Sequence, residues 1–109
     1  MCSSDLEVTL RFHLDRLPFL PGATQYADDW LFPGGSSCNK DAYEHHVSFV
    51  PGIPDEMQML LFTPETSGGL LICVAADDAD ALADLFAREG QPHWVVGEAV
   101  EGPAAIEVV

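Results

Sequence analysis

A chain of 109 residues is long enough for one domain with a core of its own and too short for two. Its 48% hydrophobic content excludes a disordered chain, and no run approaches the ~18 apolar residues of a membrane span. Acidic residues outnumber basic ones 18 to 4, and the net charge of -14 repels nucleic acid and anionic membrane.

Arg11, Arg16, Lys40 and Arg88 are too dispersed to form a basic patch. The acid excess suits either solubility at high salt or a solvated face. Cys2, Cys38 and Cys73 are too few and too scattered for a disulfide scaffold or a zinc knuckle, and Cys73, inside an apolar run, reads as a buried thiol. The opening "MCSSDL" lacks the basic flank and apolar centre of a signal peptide, so a reducing, cytoplasmic location is the expectation.

In chain order, residues 7–15 alternate. Val8, Leu10, Phe12 and Leu14 point one way and Glu7, Thr9, Arg11, His13 and Asp15 the other, the pattern of a half-buried strand. The turn "LPFLPG" leads into a predicted helix over 23–30, with Ala23, Tyr26, Ala27 and Trp30 on one side. Residues 33–56 read as turn chemistry with a short strand at "VSF". "DEMQMLLF" predicts a short helix whose first-turn acids suit the positive end of its dipole. "GLLICVA" (69–75) is continuously apolar and predicts a central strand. Residues 76–90 predict a helix capped by Asp77 or Asp78, with Ala79, Leu82, Ala83 and Phe86 on one face and Gly90 as its stop. Strands are predicted over 93–100 and 105–109, giving an α+β layer with a mixed sheet and helices packed on one face.

Few residues suggest chemistry. His45 and His46, taken as strand neighbours, point to opposite faces and read as exposed loop histidines. Cys38 with either histidine lacks a third group to complete a nucleophile–base arrangement. Asp77, Asp78, Asp80 and Asp84 read as a solvated helix face, because magnesium wants oxygens converging from several elements. No catalytic residue and no metal ligand is assigned. The binding candidates are Thr66, Ser67, Gly68 and Gly69, whose backbone N–H groups and hydroxyls could hold an anion. This is no Walker loop, since the lysine is absent and the glycines precede a predicted strand. The competing reading is that the two glycines only permit a tight path or a close approach of another chain segment.

"LLFTPETSGGLLICV" (60–74) resembles the Asp-Pro-Gln-Thr-Ser-Gly-Gly-Leu-Leu segment of the selenophosphate synthetase (selenide, water dikinase) family. "LPFLPGA" (17–23) is similar to that family's Leu-Pro-Leu-Leu-Pro-Gly-Ala run. "PGGSSCN" (33–39) resembles its Pro-Gly-Gly-Thr-x-x-Asn turn and "VVGEAV" (95–100) its late Ile-Gly-Glu-Val strand. The resemblance implies the C-terminal domain of the aminoimidazole ribonucleotide synthetase-like superfamily over residues 7–109, with 1–6 foreign to it. It also implies a homodimeric parent enzyme that makes selenophosphate from selenide, ATP and water with magnesium. The groups that bind ATP and metal would lie in a missing N-terminal domain, so this fragment is expected to be inactive and to bind no cofactor strongly. Cys2 does not stand in for the family's reactive cysteine, because it lacks the glycine-rich surroundings. Thr63, Glu65 and Ser36 depart from the family's aspartate, glutamine and threonine. The alternatives are another ATP-dependent member of the superfamily, such as a hydrogenase-maturation protein or thiamine-phosphate kinase, and a free-standing module binding a small anion or a protein.

Overall fold

The computed structural model describes residues 7–109. The foreign start expected at residues 1–6 and the role considered for Cys2 lie outside the described residues. Strand β1 (Val8–Phe12) is central, with β3 (Gly97–Glu101) antiparallel on one side and β4 (Ala105–Val108) parallel on the other. Strand β2 (Val47–Phe49) pairs parallel with β4, so the sheet runs β2-β4-β1-β3.

The alternation in β1 sets the two faces of this sheet. Leu10 lies opposite Ala99 and Ile106, Phe12 opposite Gly97 and Val108, and Val47 and Phe49 continue the same two rows. On the other face Arg11 pairs with Glu107, and His13 Nε2 lies 2.9 Å from Glu98 Oε2. The Arg11 pKa is raised, first by its hydrogen bond to Glu107 and then by the charge of that carboxylate. Thr9 also belongs to this polar face, yet it is buried, because its hydroxyl donates to Pro103 O at 2.7 Å.

Two of the helices lie against the apolar face. Helix α1 (Ala23–Asp28) packs against α3 (Asp55–Leu61), and α3 packs against α2 (Gly34–Tyr43). Phe62 and Val108 are buried there, Ala27 is buried in α1, and the Phe49 and Phe62 rings meet edge to face at 6.2 Å. Helix α1 is shorter than predicted. Trp30 adopts φ 60°, and Leu31 N–H donates to Tyr26 O at 2.8 Å, a Schellman ending that turns Trp30 out of the helix and leaves it 55% exposed.

Three expectations fail more substantially. The run read as turn chemistry at 34–43 is helix α2, which forms despite its poor intrinsic propensity because Ser36 and Gly35 pack inward. Residues 69–75 form no strand, and Leu70 and Leu71 are 87% and 63% exposed. Both sides of β1 are already occupied, and a continuous apolar run signals a demand for burial without specifying the partner. Residues 93–96 also stay outside β3, leaving Trp94 and Val95 exposed.

Helix α4 (Ala76–Arg88) forms where predicted, but Ala75 is its N-cap, with no side-chain cap from Asp77 or Asp78, which fall inside the first turn. Ala79, Leu82, Ala83 and Phe86 share the expected face and are only half-buried, and Gly90 takes φ 67° just past the helix end.

Candidate functional site

Two runs singled out by sequence, 33–39 and 60–74, meet in space. Pro33 has an extended backbone and starts α2 without any side-chain cap. Ser36 N–H donates back to Pro33 O at 3.0 Å, and the Ser36 side chain is fully buried with its hydroxyl unpartnered. One turn later, Asn39 Nδ2 donates to Phe62 O at 2.9 Å, just past the end of α3. Thr63 closes that end by donating its hydroxyl to Leu60 O at 2.8 Å. Thr63 replaces the aspartate that the resemblance would place there, and a hydroxyl still satisfies one of the helix's last carbonyls.

Pro64 then packs over the start of α2. A Cβ added to Gly35 would lie 3.1 Å from Pro64 Cγ, so the glycine lets the two segments approach. Thr66, Ser67 and Gly68 form an exposed bend, followed by exposed Gly69. A tight path does not account for the glycine pair. A Cβ at Gly68 or Gly69 meets nothing within 4 Å, and neither residue is among those with positive φ. Residues 66–69 are therefore exposed to solvent.

Beside this corner lies an apolar groove of about 370 Å³ between the sheet and helices α2 and α3, lined by Phe12, Tyr43, Phe49, Phe62 and Val108. Asn39 and Thr63 form part of its lining.

The other candidates lie elsewhere. His45 and His46 are exposed on a 3₁₀ turn (Glu44–His46), not on a strand, and their rings lie 4.0 Å apart at 45°. Glu44 is taken by Lys40, whose pKa it raises through their hydrogen bond. Cys38 and Cys73 are free and exposed, so Cys73 is not the buried thiol expected; the apolar run around it is itself exposed. Among the described residues, no group of three or more His, Cys, Asp or Glu side chains is placed to hold a metal, and no helix is long and apolar enough to cross a membrane.

Sequence reasoning missed Asn39 and Gly35. The available signal was the "PGGSSCN" run, whose consecutive glycines concealed a helix.

A mixed sheet with helices on one face, and a glycine-rich helix start seated against Pro64, define the class. The family model for the C-terminal domain of AIR synthase related proteins matches residues 22–109, and the chain belongs to that family. Within it, the chain is similar to selenide, water dikinase of Burkholderia orbicola (strain MC0-3), at 38% identity over 94% of this chain and 29% of the relative. It is 42% identical to the selenide, water dikinase of Geobacter sp. (strain M21), over 84% of this chain and 26% of the relative. With that of Rhizobium meliloti (strain 1021) it shares 37% identity over 98% of this chain and 30% of the relative. The expected resemblance holds, and the chain spans less than a third of the length of these curated relatives.

Proposed function

We propose that residues 7–109 serve as the C-terminal module of an enzyme that makes selenophosphate from selenide, ATP and water, releasing AMP and phosphate. One observation carries this reading: the two runs that most resemble that family are fastened together, at Asn39–Phe62 and Gly35–Pro64. The Thr66–Gly69 bend is the part of this chain that faces nucleotide, with hydroxyl and backbone donors for phosphate oxygens. Its openness fits a ligand that approaches from outside the module. Magnesium finds no fitting set among the described residues, so no step through the metal is assigned to this chain. The catalytic groups and the rest of the nucleotide pocket belong to an N-terminal ATP-binding half and to a homodimeric assembly.

The test is a chimera. The matching segment of the Geobacter relative is replaced by residues 22–109 of this chain and assayed anaerobically with ATP, magnesium and selenide. Selenide-dependent AMP formation by the chimera, with none from the 109-residue chain alone, is the expected result. A folded chimera that releases no AMP in response to selenide sinks the proposal.

A further inference from the structure

We propose that Asn39 is a positioning residue for the Thr66–Gly69 bend, acting through the Phe62 carbonyl, with Gly35 as the seat for Pro64. Phe62 is buried at the end of α3, and its carbonyl takes the Asn39 amide at 2.9 Å. Pro64 rests against Gly35, where even a methyl group would crowd it at 3.1 Å. These two contacts hold the chain immediately before the bend at two points, 23 and 29 residues away in sequence. Beyond Pro64 nothing comparable restrains it. Residues 64–75 are exposed, and a Cβ on Gly68 or Gly69 would touch nothing. The direction in which Thr66 and Ser67 leave the domain is therefore set at Phe62 and Pro64. Asn39 suits this task because its amide can donate outward from a helix into a neighbouring helix end, where the last carbonyls lack partners. The consequence for nucleotide rests on the reading given above; the latch itself does not.

The experiment uses the 109-residue chain and a glutamate-specific protease. Glu65 directly follows the latched Pro64, and Glu89, exposed just past α4, serves as an internal reference. In Asn39→Ala, cleavage after Glu65 should rise about fivefold relative to cleavage after Glu89, the population change one hydrogen bond supplies. Gly35→Ala, which keeps Asn39 and crowds Pro64, should raise the same ratio and provides a second route if Asn39→Ala does not fold. An unchanged ratio, whether both sites speed up together or neither does, overturns the proposal, because a merely structural role would loosen the whole chain. A parallel arm adds millimolar ATP with magnesium to the unsubstituted chain. Protection of Glu65 that Asn39→Ala abolishes supports the positioning role at nucleotide. Absence of protection is what a pocket completed by the N-terminal half predicts, and the cleavage ratio alone then decides the latch.

Discussion

Glycine has opposite meanings at two places in this chain. At Gly97 a Cβ would sit 1.9 Å from Arg11 O and 3.1 Å from Phe12 Cα, and neither is a side chain that could swing aside. The β1–β3 pairing thus requires glycine opposite Phe12. Gly97→Ala should destabilise the chain by about 1–3 kcal/mol or more, through loss of that pairing. Gly69→Ala should be within about 0.5 kcal/mol of neutral, since the added methyl meets open space. Thermal or urea melts of the two variants check both statements, and equal destabilisation would contradict them. One reading of the run "PETSGGLLICV" is a tight path or close approach before a central strand, whereas a close approach that excludes a side chain is found in "VVGEAV". Sequence could not separate them because a close approach is a property of the partner, and Arg11 is 86 positions away.

At the level of elements, periodicity was readable wherever one face was apolar. The period of two in β1 and the apolar spacing in α4 both reappear in the structure. Helix α2 was hidden because Gly34, Gly35, Ser36 and Ser37 favour turns, and only tertiary packing overrides that preference. The fastening of 33–39 to 62–64 was equally hidden, since it depends on a helix that was not foreseen. Helix α4 was the clearest element in the sequence and is among the least supported in space. Leu85 is 43% exposed, and none of its residues is buried. A free helix of 13 residues is marginal in water. Amide hydrogen exchange should therefore find α4 opening by local fluctuation, with protection about 100-fold below that of β1 and β4. Equal protection in α4 and the sheet would show that the helix shares the core's stability.

Over the whole molecule, area tells the same story. The accessible surface is 8178 Å², against about 5,900 Å² for a folded monomer of this mass. The radius of gyration is 15.4 Å, where a compact domain of this length has about 13 Å. Leu70, Leu71, Ile72, Val74, Trp94 and Val95 contribute to this excess, and exposed apolar surface favours association. A net charge of -14 opposes it, and its reach shrinks from about 30 Å at 0.01 M salt to about 3 Å at 1 M. The chain should sediment as a monomer at low ionic strength and self-associate as salt rises. A single sharp monomer at both extremes would mean that its apolar surface is closed in solution.

The strand order has a further effect, on the time at which this fold can exist. Strand β1 lies between β3 and β4, and Arg11 is tied to Glu107, 96 residues later. During synthesis β1 has neither neighbouring strand until Gly97–Glu101 has been made. The helices are too short to be stable before they pack, and the sheet must wait for β3 and β4 and then overcome the entropy of closing a long loop. A ribosome stalled before residue 97 would therefore hold a segment in which β1 has neither of its neighbouring strands.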